Sequence, residues 1–364
     1  MALQDILSGR RIPVFLLTGF LGSGKTTLLH RLLASGAVTD TAIVVNEFSD
    51  LGIDQLTIRQ VSEHLVLLNS GCVCCTIRED LLQALRKLFI DRLSGGVGAF
   101  ERVLIETSGI GDPVPIVHTL LTDPFLRERF CLGGTITTID ALQPLTALCR
   151  HAEGLRQAAV ADLFIITKTD LASQETTEAL CGELAAMNPN ADIVDTAKIE
   201  ALAALLKSAT TDADQAGFLP SWLAQIARAP AREAPPGGLF AQPRRIGAHT
   251  ARVQSFVLGM SDPVAWDDFI KWIQLLLAKT PEGILRIKGF VDIVGESLPV
   301  LVQCVRHVFY PATSLPEWPG GKRSSRLVLI LENAAQISPA ELLASTLPTH
   351  SGVNWTVQNQ RKSS

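Results

Sequence analysis

The sequence predicts an α/β fold, a mostly parallel sheet flanked by helices, followed by a smaller α+β domain. Three observations carry that expectation. Over the first two-thirds of the chain, short apolar runs alternate with longer stretches of helical periodicity, the rhythm of a parallel sheet with crossover helices. Residues 228–248 are rich in Pro, Ala, Gly and Arg, include Pro235-Pro236-Gly237-Gly238, and lose any hydrophobic period, which marks a linker. Beyond the linker, strand patterns gather around a single helix.

In the first domain, Pro13 to Thr18, Thr41 to Asn46, Arg102 to Glu106 and Leu163 to Thr167 are nearly continuous apolar runs. Strands covered on both faces read that way. Gly134 to Ile139 forms another and ends at Asp140, and Leu65 to Leu68 adds a short one. Between them Thr26 to Leu33, Asp80 to Leu93 and Glu175 to Met187 carry apolar residues at helical spacing. After the linker come an alternating strand (Arg252 to Leu258), a helix (Pro263 to Ala278) and strand patterns at Ile284 to Ile293, Leu298 to Tyr310 and Arg326 to Leu331. The expected boundaries are 11–227 for the first domain, 228–248 for the linker, 249–348 for the second domain and 349–364 for a polar tail that should fray.

A chain of 364 residues is long enough for two cores, and 47% hydrophobic with 19% charged residues places it among globular proteins. Lysine plus arginine (32) nearly balances aspartate plus glutamate (36), so no strong field exists to gather nucleic acid or an anionic membrane. No uncharged apolar run approaches the roughly 18 residues of a membrane span, and Val14 to Leu17 is too short for a secretory core. Seven cysteines, three of them crowded between positions 72 and 75, make a poor disulfide framework. The expectation is a cytoplasmic protein in a reducing compartment, with neither nucleic acid nor membrane as partner.

Directly after the first strand stands Gly19-Phe20-Leu21-Gly22-Ser23-Gly24-Lys25-Thr26, the G-x-x-x-x-G-K-[ST] phosphate loop, opening a helix as that motif requires. Its glycines let backbone N–H groups turn inward around phosphate oxygens, the helix N-terminus adds partial positive charge, and Lys25 reaches the β and γ oxygens. Thr26 can ligate magnesium, and Gly19, Gly22, Ser23, Gly24 and Thr27 complete the expected cradle. The fold class is therefore that of a P-loop NTPase. Such a site needs an acidic residue at the end of another strand for the magnesium shell. Glu106 supplies it, and Gly109 in the following Thr107-Ser108-Gly109 could donate its N–H to the γ-phosphate. Thr167-Lys168-Thr169-Asp170 resembles the N-K-x-D signature of G proteins, with Asp170 reading guanine and Lys168 packing its stem along the base. Thr167 replaces the usual Asn, a change expected to remove the tie between this loop and the phosphate site. Thr196-Ala197-Lys198 falls where the base-facing backbone loop of a G protein would lie, and an ordinary loop is the competing reading.

Between the phosphate loop and Glu106 sits Gly71-Cys72-Val73-Cys74-Cys75. Soft thiolates bind zinc and other late first-row metals, and one loop can bring several together. Small buried cysteines or a local disulfide are the competing explanations, but core packing has no need for three thiols beside a glycine.

At this point the chain resembles the CobW-like family of P-loop GTPases. The resemblance rests on Gly19 to Thr27, Val45-Asn46-Glu47-Phe48, Gly71 to Cys75, Glu106 to Gly109 with Asp112-Pro113, Arg156-Gln157 and Thr167 to Asp170. It extends into the second domain through Leu285 to Gly289 and Val305 to Phe309. The resemblance implies a GTP-hydrolysing metal chaperone working with GTP and GDP, Mg2+, and Zn2+ or Co2+. It would deliver its metal to a client metalloprotein or to an enzyme of cobalamin biosynthesis. Carried onto this chain, the metal ligands are Cys72, Cys74 and Cys75, with Glu47 as an oxygen ligand or switch residue. Ser49-Asp50 stands where many members have Gly-Glu, and the seven histidines are scattered, which argues against metal storage. His249 and His307 are expected to be structural, and Trp318 is either an anchor of a docking surface or a core residue.

The implied mechanism is a nucleotide switch in which γ-phosphate and magnesium order the loops around Glu47 and Gly109. Ile110 and Gly111 follow Gly109, so the water-orienting glutamine of small G proteins has no counterpart there. Unassisted turnover is expected below about one per minute. The rivals are a regulatory GTPase with structural cysteines and an ATP-dependent small-molecule kinase.

Overall fold

The computed structural model describes residues 11–35, 40–45, 65–67, 76–196, 253–260, 262–280, 283–332 and 355–358. Glu47, Cys72, Cys74, Cys75, Ala197, Lys198, His249 and the expected linker lie outside the described residues. Two units make up the chain: residues 1–144, 151–180 and 192–219 form one, and residues 145–150, 181–191 and 220–364 form the other.

Chain order in the first sheet is β1 (Ile12–Gly19), α1 (Lys25–Ala34), β2 (Thr41–Val45), β3 (Leu65–Leu67), α2 (Thr76–Ser94) and β4 (Arg102–Glu106). Next come α3 (Val114–Thr122), α4 (Pro124–Arg129), β5 (Phe130–Asp140), α5 (Leu145–Cys149), α6 (Ala152–Ala159), β6 (Leu163–Thr167), α7 (Gln174–Met187) and β7 (Asp192–Asp195). The strands pair in the order β3-β2-β4-β1-β5-β6-β7, and every pairing is parallel. Because the strands share one direction, all their carboxyl ends lie on one edge, where α/β proteins bind ligands. The central strands are buried along their whole length, which is why their sequences run apolar without alternation. Helix α1 buries Leu28, Leu29, Leu32 and Leu33, one helical face, into a core shared with Phe15, Leu17, Ile43 and Leu104.

Three departures from the sequence reading have physical causes. Strand β5 starts at Phe130, four residues before the expected Gly134. Gly133 reads as a breaker, yet a Cβ there would lie 2.7 Å from the Phe15 ring, so the glycine makes room for a neighbouring aromatic. Helix α3 went unforeseen because Pro113 and Pro115 look like breakers; Pro113 caps the helix and Pro115 sits in its first turn, where no N–H is needed. Helix α6 is eight residues long, little more than two turns, too short for its amphipathic pattern to stand out in the sequence.

The second unit holds an antiparallel sheet of β8 (Val253–Met260), β9 (Ile284–Val291), β10 (Val300–Val305), β11 (Val308–Phe309), β12 (Thr313–Ser314), β13 (Ser325–Glu332) and β14 (Trp355–Gln358). Its order is β11-β10-β9-β13-β8-β14, with β12 on β10. Helix α8 (Trp266–Lys279) packs Phe269, Trp272, Ile273 and Leu276 against Phe256, Leu258, Ile287, Val302, Leu327 and Leu329. Within this core the Cys304 thiol is pushed up to about 12 by burial, which makes it unreactive. Gly289 is required by close approach, since a Cβ would fall 2.0 Å from the Arg326 carbonyl oxygen on β13.

The expected single run from Leu298 to Tyr310 is broken by a turn at Arg306, whose φ is 54°. His307 is exposed in that turn. Part of the tail expected to fray instead adds β14 to the edge of β8, from Trp355 opposite Met260 to Gln358 opposite Val257. That edge presents unpaired backbone groups, and a strand of any polarity with free N–H and C=O groups can satisfy them. Trp318 is half-buried: its Nε1 donates to the Ser297 carbonyl at 3.0 Å and the Arg323 guanidinium lies over its ring. Among the described residues no helix is long and apolar enough to cross a membrane.

Candidate nucleotide site

The phosphate loop leaves the end of β1 and enters α1 at Lys25. Gly19, Gly22 and Gly24 take positive φ values of 144°, 72° and 86°, backbone that residues with a side chain rarely adopt. Gly19 also has no room for one, since a Cβ would lie 2.2 Å from Thr138 Oγ1 on β5. The buried Lys25 ammonium donates to the Gly19 carbonyl at 2.9 Å and to the Phe20 carbonyl at 3.4 Å. It is thus held inside the loop where phosphate oxygens would be met. Thr26 Oγ1 donates to Glu106 Oε1 at 2.8 Å, which brings the hydroxyl and carboxylate expected to serve magnesium to one point. Two hard oxygen donors at the mouth of the phosphate loop fit that ion, which takes few protein ligands beside water and phosphate.

A set of hydroxyls fastens the loop from beneath. Ser23 Oγ and Thr138 Oγ1 are 2.7 Å apart, Thr138 Oγ1 donates to the Thr18 carbonyl at 3.3 Å, and Thr107 Oγ1 donates to Thr18 Oγ1 at 2.9 Å. Thr167 joins this set, and here the sequence expectation is corrected. Its Oγ1 donates to the Ser23 carbonyl at 2.8 Å, so the loop carrying Lys168 and Asp170 remains tied to the phosphate loop without an amide. A hydroxyl on a shorter side chain reaches because Thr167 packs directly behind Gly24, with its Cγ2 3.4 Å from where a Cβ would stand.

Lys168 adopts φ 57°, an uncommon conformation for a residue with a side chain. Its Nζ is 2.6 Å from Asp140 Oδ2, an ion pair with a buried carboxylate at the end of β5. Thr169 Oγ1 donates to Asp195 Oδ1 at 2.9 Å, and Arg31 of α1 donates to the Thr196 carbonyl at 3.0 Å. The Thr167–Asp170 loop, the Asp195–Thr196 segment and the phosphate-loop helix are therefore bound into one frame, with Asp170 exposed at its surface. Asp140, Thr138 and Arg31 were not singled out from sequence. Asp140 carried a signal, since it ends an apolar strand as Glu106 does.

Past Glu106, Thr107 donates its N–H to the Leu17 carbonyl and Gly111 donates to the Ser108 carbonyl, so residues 108–111 form a tight turn. Gly109 abuts the phosphate loop, since a Cβ there would stand 2.6 Å from Leu21 Cδ2 and 2.9 Å from Leu21 Cα. Together these placements gather Lys25, Thr26, Glu106 and Gly109 at the phosphate loop. Lys168 and Asp170 sit on the adjoining loop. Such an arrangement can bind a nucleoside triphosphate and move charge off its terminal phosphate.

Residues 13–195 match the CobW/HypB/UreG nucleotide-binding domain, and residues 253–347 match the cobalamin synthesis protein cobW C-terminal domain. The chain is 29% identical over 321 residues to the zinc chaperone YjiA of Escherichia coli, covering 88% of this chain and 93% of that protein. It is 30% identical over 366 residues to the zinc chaperone CobW of Pseudomonas aeruginosa, covering 93% and 92% respectively. The crystal structure of Zn(II)-bound YjiA GTPase from E. coli shares the fold, with a TM-score of 0.59 and 24% identity over 92% of this chain and 98% of that one.

Proposed function

The chain belongs to the CobW/HypB/UreG family of P-loop GTPases, and from that premise we propose that it is a zinc chaperone whose hold on metal is set by guanine nucleotide. The observation that carries this reading is topological. Strand β3 ends at Leu67 and α2 begins at Thr76, so residues 68–75, with Cys72, Cys74 and Cys75 among them, connect the two. Strand β3 is parallel to β1 and β4, so this connection departs from the sheet edge that carries the phosphate loop and Glu106. The chain therefore leaves β3 at the same edge of the sheet at which it leaves β1 for the phosphate loop and β4 after Glu106.

The chemistry follows from the frame. Lys25 and the N-terminus of α1 would hold the β- and γ-phosphates, and Asp170 and Lys168 the guanine. Magnesium, held by Thr26 and Glu106, would neutralise the charge of the β- and γ-oxygens. The Gly109 turn would meet the γ-phosphate, and hydrolysis would release it. Cys72, Cys74 and Cys75 would bind zinc as thiolates, with Glu47 as a fourth donor that the nucleotide state can add or withdraw. Three thiolates and one exchangeable oxygen suit a site that must give its metal up to a client metalloprotein. Cobalt, which sequence also allows, differs from zinc in softness and in its place in the divalent series, and the same assay with Co(II) ranks the two.

Linkage supplies the test. If nucleotide sets metal affinity, metal must change nucleotide affinity by the same factor. Titrating a fluorescent non-hydrolysable GTP analogue with and without Zn(II) should give different affinities, and the triple variant Cys72→Ser/Cys74→Ser/Cys75→Ser should abolish the difference. Identical affinities in the wild-type protein would remove the coupling and leave a GTPase without a metal role.

A further inference from the structure

Helix α6 and its N-cap touch both the phosphate loop and the turn after Glu106. At its start, His151 stacks on Phe20 of the phosphate loop with ring centroids 4.6 Å apart. Near its end, Gln157 has no exposed surface, and its Nε2 donates to the Gly111 carbonyl at 2.9 Å and the Gly109 carbonyl at 3.2 Å. Its own backbone carbonyl accepts from Thr137 Oγ1 at 3.0 Å, which anchors the helix to β5. Beside it Arg156 reaches Asp112 at 3.5 Å. Gln157 Oε1 is buried and has no hydrogen-bond partner among the described residues.

We propose that Gln157 is the positioning residue that sets the Gly109–Asp112 turn for the γ-phosphate and so gives the protein its discrimination of GTP from GDP. The proposal rests on the nucleotide part of the reading above and is independent of the metal part. In a trans peptide the N–H points opposite to the carbonyl. One amide that holds the Gly109 and Gly111 carbonyls therefore turns the N–H groups of Ile110 and Asp112 to the far face of the turn. Backbone N–H groups aligned on one face form an anion-binding concavity. Gly109 is in contact with Leu21, so this turn already lies against the phosphate loop. GDP lacks the phosphate that such donors would meet, whereas GTP supplies it. A buried acceptor left unmet is costly, and Oε1 gives the same side chain a further bond to make when the turn shifts. Gln157 thus does not stand in for the water-orienting glutamine of small G proteins: it enters from a helix behind the turn and acts through the backbone.

The test compares Gln157→Met, of similar size without donors, and Gln157→Glu, of similar shape with a carboxylate facing two carbonyls. Both are made in the full chain, with magnesium present, and their folding is checked by circular dichroism. Affinities for GDP and for a non-hydrolysable GTP analogue are measured by fluorescence titration, with kcat and KM for GTP alongside. The expected result is an analogue affinity at least tenfold weaker in both variants, GDP affinity within twofold of wild type, and a lower kcat. Parallel weakening of both nucleotides, or no change in either, overturns the proposal. Hydrogen exchange on the wild-type protein gives a reading that needs no variant: the Ile110 and Asp112 amides should be better protected with the GTP analogue than with GDP, and equal protection overturns it. A wild-type protein that binds neither guanine nucleotide refutes the functional reading itself, whereas wild-type binding with parallel variant shifts refutes the clamp alone.

Discussion

Replacing Gly109 by alanine adds one methyl group at the closest approach between the turn after β4 and the phosphate loop. That carbon would stand 2.6 Å from Leu21 Cδ2, 2.9 Å from Leu21 Cα and 3.0 Å from Leu21 Cγ. Carbon atoms settle about 3.5–4.0 Å apart, so the overlap is close to 1 Å. Gly109 is not among the residues at positive φ, so collision is the whole cost and backbone strain adds nothing. Over-packing of this kind costs about 1–3 kcal/mol, which corresponds to a loss of about 5- to 150-fold in GTP hydrolysis if the turn must stay closed on the phosphate loop. GDP, which makes no use of the turn, should bind within about twofold of wild type. The partner change Leu21→Ala removes Cγ and Cδ2 but leaves Cα, a backbone atom, in the way. The double variant should therefore recover part of the lost kcat and never all of it, a coupling that a double-mutant cycle measures. Steady-state phosphate release and GDP titration on the four proteins decide the matter. Wild-type hydrolysis by Gly109→Ala, or equal loss of GDP and GTP binding, would refute the reasoning.

Two further substitutions separate the parts of the frame. Thr167→Val keeps the shape of a buried residue and deletes the hydroxyl that meets the Ser23 carbonyl; an unmet buried carbonyl costs about 1–3 kcal/mol, so calorimetry should show GTP and GDP weakened together, about tenfold, with their ratio kept. Asp170→Asn exchanges an acceptor for a donor at the exposed end of the base loop, and competition binding should show preference moving from GTP toward xanthosine triphosphate, whose 2-oxo group accepts where the 2-amino group of guanine donates.

The sheet was legible because parallel strands buried on both faces leave unbroken apolar runs: Arg102–Glu106 and Leu163–Thr167 are bounded as the sequence suggested. Legibility failed where a residue's effect depends on a neighbour distant in sequence. Gly133 looks like a breaker until the Phe15 ring is seen against it, and Pro113 and Pro115 look like breakers until they are seen to start a helix. The same holds in the site. Lys25, Thr26, Glu106, Lys168 and Asp170 declare themselves by local spacing. Thr138, Asp140 and Gln157 act across 115, 28 and 46 positions of chain, on Ser23, Lys168 and Gly111 respectively, and although Gln157 was visible as part of the family resemblance and Asp140 as a strand end, only folding reveals these partners. Thr167 shows the limit of reasoning from a motif: the departure from Asn was visible, but the geometry that makes a hydroxyl sufficient was not.

The central claim is that the three thiols and the phosphate loop act as one switch, and metal content answers it most directly. Protein loaded with a non-hydrolysable GTP analogue, and separately with GDP, is equilibrated with Zn(II) against a competing chelator and analysed by elemental emission. The account predicts that zinc occupancy differs between the two nucleotide states and disappears in the triple-serine variant at 72, 74 and 75. Equal occupancy in both states, or zinc retained by the serine variant, would contradict it.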